Sequence, residues 1–265
     1  MTCIAVADLA EFERTGLIKV PGAVRYADAA AMCDRIWEHL QRVHDIDREN
    51  RASWTVDRPT RLRPVAGTEA FGRIGTATVR GVLDALLGAG RWPVPRRWAR
   101  LLVTFPDSAE WHLPLGVWHN DFHPGHGDGV RAVQMFILLN EVRPRGGGTL
   151  VVCGSHQLIR RYMDDTGEDP HPRRLRRALE AHSWSGDLWN PPPGLSSGER
   201  ARRAMVGGAV VDGIPLRVVE LTGDPGDVYF MHCDTFHAAA PNALDVPRMM
   251  ATSMISRLPD TATVM

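Results

Sequence analysis

The stretch Arg131–Asn140 constrains the fold more than any other. Val133, Met135, Ile137 and Leu139 alternate there with Gln134, Phe136 and Leu138. In an extended chain successive side chains point to opposite faces, so this strand is apolar on both sides. A strand of that kind must lie between two layers. The rest of the chain has to supply a second sheet on one side and helices on the other.

The order of elements meets that demand. Residues 6–15 read as a short helix, Leu17–Val20 as a strand ended by Pro21-Gly22, and residues 26–44 as a helix with Ala30, Cys33, Ile36, Trp37 and Leu40 on one stripe. Residues 76–88 repeat that pattern before Gly88 and Gly90 stop it. After Pro93 and Pro95 the period changes to two. Strands are expected at Leu101–Phe105, Gly116–Phe122, Arg131–Asn140, Thr149–Val152, Ala209–Val211, Leu216–Leu221, Asp227–Met231 and Met249–Ile255. The predicted class is α+β, mainly β: an antiparallel double sheet with N-terminal helices on one side. We expect one domain over 1–265, with a mainly helical part at 1–95 and a β core at 96–256. That core is interrupted at 157–208 by an insertion with helices at 157–163 and 172–182 and a loop at 183–198.

Composition excludes several classes. Acidic and basic residues balance at 31 each, so nothing global draws the chain to nucleic acid or an anionic membrane. Cys3, Cys33, Cys153 and Cys233 are widely spaced and contain no C-x-x-C, which argues against a zinc knuckle or a disulfide framework. No apolar run reaches membrane-spanning length, and no basic-then-apolar leader opens the chain, so a reduced, cytoplasmic protein is expected. Oligomeric state is left open.

The chemistry centres on Trp118-His119-Asn120-Asp121-Phe122. On a strand, residues i and i+2 share a face, so the His119 imidazole and the Asp121 carboxylate can reach one metal ion. A third ligand is needed. His237 is the best candidate, with His232 as its rival five residues earlier. Two histidines and one carboxylate with open positions form the facial triad of non-haem Fe(II) oxygenases. Arg248, eleven residues after His237, opens the next strand and offers a planar fork of donors to a carboxylate. His123 and His126 lie in a Pro/Gly loop, which does not suit a second metal site.

The chain resembles the phytanoyl-CoA dioxygenase family. Phe12-Glu13-Arg14-Thr15-Gly16-Leu17-Ile18 is similar to the family's opening helix, glycine and strand. His119 and Asp121 match its H-x-D, and Gly147-Gly148-Thr149-Leu150-Val151-Val152-Cys153-Gly154-Ser155-His156 matches its glycine-rich turn, strand and G-S-H. Gly226, Asp227, His237, Pro241, Asn242 and Arg248 match its closing motif. The resemblance implies a double-stranded β-helix of jelly-roll type. It also implies Fe(II), 2-oxoglutarate and O2, with His119, Asp121 and His237 on the metal and Arg248 on the far carboxylate of the cosubstrate.

Where the family often has Gly-Ser after the distal histidine, this chain has Ala238-Ala239. The missing hydroxyl makes Thr104 and Gln134 candidates for the cosubstrate. Asp121 argues against halogenation, because related halogenases have a small residue there. The expected reaction is therefore oxidation of a C–H bond, by hydroxylation, in a small-molecule substrate, with release of succinate and CO2. The alternatives are a cupin-type metal enzyme that does not use 2-oxoglutarate and a non-catalytic sandwich that binds a small ligand. Trp118, Trp184 and Trp189 are the expected substrate-facing residues, with Trp54 on an opposite wall. For Trp184 and Trp189 a packing anchor is the equal alternative.

Overall fold

A computed structural model describes residues 6–107, 110–121, 129–167 and 172–259. The helices are α1 (Val6–Thr15), α2 (Tyr26–His44), single-turn α3 (Arg63–Ala66) and α4 (Glu69–Gly72), α5 (Ala77–Leu87), α6 (Ser155–Thr166), α7 (Pro172–Glu180), α8 (Ser183–Trp189) and α9 (Ser197–Arg202). The strands are β1 (Leu17–Val20), β2 (Arg100–Thr104), β3 (Ala132–Leu138), β4 (Thr149–Cys153), β5 (Ala209–Val211), β6 (Ile214–Glu220), β7 (Val228–His232), β8 (His237–Ala239) and β9 (Arg248–Ser256). They form a five-stranded sheet, β1-β7-β3-β9-β2, and a four-stranded sheet, β5-β6-β4-β8. All neighbours are antiparallel.

The alternation on β3 assigns the layers. Val133, Met135 and Ile137 join a core with Met32, Ile36 and Leu40 of α2 and Val79, Val82 and Leu83 of α5. Phe136 and Leu138 face the other way, into a second cluster with Val151 and Cys153 of β4, Tyr229 and Met231 of β7 and Met250 of β9. This second cluster is the interior between the sheets. The β3 strand is buried along its whole length, as a strand between two layers must be.

Helix α2 forms because its apolar residues recur at spacings of three and four, and Met32, Ile36 and Leu40 are fully buried. Burying each such side chain is worth about 1.5–3 kcal/mol, far more than any local preference. Its start carries no side-chain cap; Asp28 in the first turn instead pairs with Arg25 at 2.7 Å. Helix α5 starts on Thr76, whose hydroxyl accepts from the Val79 N–H at 3.1 Å.

A third cluster covers the outer face of the four-stranded sheet. Leu150 and Val152 of β4, Leu216 and Val218 of β6 and Ala238 of β8 meet Leu158, Ile159 and Met163 of α6, Leu179 of α7, and Leu188 and Trp189 of α8. The 157–208 segment therefore lies on the outside of this sheet. Two expectations fail locally. Residues 183–198, read as a loop, contain α8 and the start of α9. Gly116–Phe122, read as a strand, is irregular through Asp121 except for one bridge at His119, and Phe122 lies outside the described residues. No helix among the described residues is long and apolar enough to cross a membrane.

Candidate metal centre

His119 and His237 are joined backbone to backbone. The His119 N–H donates to the His237 carbonyl at 3.0 Å, and the His237 N–H returns the bond at 2.8 Å. Strand β8 is in turn paired to β4, with His237 opposite Val151. Ala238 faces the outer cluster, so parity turns His237 inward, toward Phe136 at 6.0 Å between rings. The two histidine rings are 4.5 Å apart.

Three donors converge. His119 Nε2 is 3.5 Å from Asp121 Oδ1, and His237 Nε2 is 3.5 Å from Asp121 Oδ2. One ligand atom from each of the three residues lies within 4.8 Å of the others. The far ring nitrogens are held by carbonyls: His119 Nδ1 by Val117 at 2.8 Å and His237 Nδ1 by Thr235 at 3.2 Å. A carbonyl only accepts, so each Nδ1 carries the proton and each Nε2 can turn its lone pair to the centre. The His119 and His237 imidazoles beside it hold the Asp121 carboxyl well below the usual carboxylate range, against partial burial. The His119 imidazole is raised in turn, first by Asp121, with burial opposing.

Gln134, on the inward face of β3, donates from Nε2 to Asp121 Oδ2 at 3.0 Å and to Thr252 Oγ1 at 3.2 Å. Thr252 itself donates to the Met135 carbonyl at 2.8 Å, so it can only accept from Gln134. That fixes the amide with nitrogen toward the carboxylate. Two imidazole nitrogens and one oriented carboxylate oxygen can hold a divalent first-row metal such as Fe(II) on one face.

Arg248 is the second part of the site. It opens β9 directly opposite Thr104 of β2, and both are buried. Its guanidinium donates to Thr104 Oγ1 and to Met250 Sδ at 3.1 Å, while Nε has no hydrogen-bond partner among the described residues. Burial lowers its pKa to about 10, with Arg58 adding to the effect and Glu220 opposing it. The Glu220 carboxylate is engaged elsewhere, by the N–H groups of Arg145 at 2.8 Å and Gly148 at 3.1 Å. Arg248 is thus a buried cation with only neutral hydrogen-bond partners, an arrangement that fits a carboxylate ligand. The preceding turn is held by Asn242, whose side chain donates to the carbonyls of Thr104 at 3.2 Å and Val246 at 2.8 Å. Asn140 does the same on the other side, accepting from the Met249 N–H and donating to the Pro247 carbonyl, both at 2.8 Å.

Thr104 is brought to Arg248, and Gln134 to Asp121 rather than to Arg248. Trp118, Trp184 and Trp189 are not brought together at the three donors. Trp118 and Trp189 are buried in the cluster outside the four-stranded sheet, and Trp184 packs on that cluster. Trp118 points its indole N–H to the Pro114 carbonyl at 3.2 Å, and Trp189 stands edge-on to Phe236. This placement favours the anchor alternative. Their apolar surface covers the outer sheet face that Ala238 and Val152 help form. Trp54 packs on Phe105 and Trp37 beside the helical core.

His232 stacks on His156 at 4.9 Å and accepts from the Asp234 N–H at 3.2 Å. His232, Cys233 and Asp234 also form a compact trio, but Asp234 is tied to Arg131 at 3.1 Å. His123 and His126 lie outside the described residues. Asn140 is a supporting residue that the sequence motifs do not single out. Asn140 carries a turn-like signal at the end of an apolar run.

The model of the phytanoyl-CoA dioxygenase family matches residues 12–250. An ectoine dioxygenase from Sphingopyxis alaskensis is 31% identical over 138 residues, covering 51% of this chain and 38% of that protein. The chain thus spans well under half the length of this curated relative. Among solved structures, EctD from S. alaskensis with bound Fe has a TM-score of 0.54 at 19% identity, over 96% of this chain and 77% of that one. EvdO2 from Micromonospora carbonacea var. aurantiaca, complexed with 2-oxoglutarate, has a TM-score of 0.52 at 14% identity, over 98% and 94%. At those identities the likeness establishes the fold.

Proposed function

The chain belongs to the phytanoyl-CoA dioxygenase family, and from that premise we propose that it is an Fe(II)- and 2-oxoglutarate-dependent dioxygenase that hydroxylates a C–H bond of a small-molecule substrate. The observation that carries this reading is the convergence of His119 Nε2, Asp121 and His237 Nε2, with both Nδ1 atoms bound to carbonyls. When bound, Fe(II) with 2-oxoglutarate and O2 supplies the oxidising chemistry, yielding succinate and CO2 alongside the oxidised substrate.

The protein's own part is positioning and dryness. His119, Asp121 and His237 would hold the metal through two imidazole nitrogens and one carboxylate oxygen. Gln134 keeps the Asp121 carboxylate oriented through its 3.0 Å bond. Arg248 pairs with the far carboxylate of the cosubstrate, and Thr104 holds the guanidinium. Ala239 shares the parity of His237 on β8. Leu102, Leu138 and Met250 lie between Arg248 and Gln134 on the inward faces, and they keep water from the charge pair.

The test is turnover of 2-oxoglutarate by the purified chain. Fe(II)-dependent formation of succinate, one for each 2-oxoglutarate consumed, is expected. Metal binding without any 2-oxoglutarate consumption or binding would favour the cupin-type alternative instead.

A further inference from the structure

The arm that carries His119 and Asp121 forms no strand among the described residues. Between Glu110 and Asp121, the only backbone–backbone bonds among the described residues are the two that join His119 and His237. The rest of the arm is irregular, turning at Leu115-Gly116, where Gly116 takes a left-handed φ of 71°. Yet two of the three metal donors sit at its end.

Arg200 of α9 lies beneath the arm. Its residue is 7% exposed, and its guanidinium donates only to carbonyls. Nε reaches Asp187 at 3.0 Å, and Nη2 reaches Leu188 at 2.9 Å, both in α8. Nη1 donates to Leu113 and Nη2 to Pro114 at 2.9 Å, both in the arm. Pro114 O also receives the Trp118 indole N–H at 3.2 Å, and Trp118 directly precedes His119. A continuous set of bonds therefore runs from α8 and α9 through Arg200 and the Leu113–Trp118 turn to the first metal donor. Only a planar fork of five donors can meet four carbonyls at once; an ammonium group cannot. Burying a guanidinium among carbonyls is costly, and an apolar side chain would fill the same space in a cluster that is otherwise apolar.

We infer that Arg200 is a positioning residue for the metal centre: it fastens the His119–Asp121 arm to the 157–208 segment and sets where these two ligands stand relative to His237. The inference rests on the metal reading above. It gives that segment a role in metal affinity, through an arginine that touches neither metal nor substrate.

Co(II) titration of the full chain, followed by calorimetry with thermal unfolding recorded beside it, tests this. Outer-shell groups that orient ligands typically change metal affinity by about 10–100-fold. Arg200→Met and Arg200→Lys should each weaken Co(II) binding by at least about tenfold. Leu179→Ala, a truncation in the same apolar cluster, should lower thermal stability and leave Co(II) affinity within roughly threefold. Free guanidinium ion at millimolar concentration should restore Co(II) affinity to Arg200→Ala, and methylammonium should not. Wild-type affinity in Arg200→Lys, or an equal loss of affinity in Leu179→Ala, would overturn the inference. Should Arg200→Met fail to fold, the Arg200→Lys and Leu179→Ala pair still decides it. If wild-type protein binds Co(II) no better than His119→Ala, the metal reading has failed, and the inference with it.

Discussion

Replacing Arg248 should move stability and cosubstrate affinity in different directions. In the free protein the guanidinium is buried, and its hydrogen-bond partners are neutral: Thr104 Oγ1 and Met250 Sδ. Glu220 helps only at a distance, because its oxygens are engaged by backbone N–H groups. A buried cation with so little compensation costs stability, and a well-packed apolar replacement is often neutral or stabilising. Arg248→Met should therefore melt at or above the wild-type temperature. Its affinity for 2-oxoglutarate should collapse. Truncating one partner of a buried charge pair costs about 2–5 kcal/mol, and at about 1.4 kcal/mol per tenfold that is at least roughly 30-fold in the dissociation constant. The upper end of that range is expected, since the cosubstrate carboxylate would be the only anion in contact with the guanidinium. Arg248→Lys should recover only part, because an ammonium cannot make the planar two-point contact. The assay is 2-oxoglutarate binding by calorimetry in the presence of Co(II), with melting curves alongside. An unchanged dissociation constant in Arg248→Met would refute the assignment, and a large fall in melting temperature would refute the electrostatic argument.

Gln134→Leu removes the donor that orients Asp121, and metal affinity should fall by about 10–100-fold in a direct titration. Trp189→Ala should cost about 3–5 kcal/mol in denaturant unfolding, as for a buried aromatic, with metal and 2-oxoglutarate affinities unchanged. Burial pushes His156 down to about 4 and His232 down to about 3, against about 6.5 in an unfolded chain. The unfolded state then binds more protons below pH 6.5, so this contribution is full above that pH and is lost as pH falls toward the folded values. Roughly 2 kcal/mol per histidine should be gone by pH 5, at about 1.4 kcal/mol per unit. His156→Gln keeps a donor for the Glu13 carbonyl and should flatten the fall in urea midpoint between pH 7.5 and 5.

Long periodic segments were legible in the sequence because burial follows period directly. Helix α2 has the bounds that the pattern predicts, and the two faces of β3 divide into the helical core and the intersheet core as read. Short elements were not legible, since their stability comes from tertiary contacts. Strand β8 is three residues long and is defined by pairing with β4. The His119 arm looks like a strand by alternation, yet it pairs at one residue only. The family-like motifs placed His119, Asp121, His237 and Arg248 at fixed positions along the chain, and the fold gathers the first three and buries the fourth between the sheets. The tryptophans were unreadable for a different reason. An aromatic residue on an insertion can face inward or outward, and the direction depends on which sheet face is uncovered. Here that face belongs to Leu150, Val152 and Ala238, on the side away from His237.

The central claim is the identity of the three metal donors, and anaerobic Fe(II) titration tests it most directly. Wild-type chain should bind one Fe(II), and His119→Ala, Asp121→Ala and His237→Ala should each lose that binding while remaining folded by circular dichroism. His232→Asn, which keeps an acceptor for the Asp234 N–H, should bind Fe(II) as the wild type does. Retention of wild-type Fe(II) binding by His237→Ala, or its loss in His232→Asn, would contradict the account.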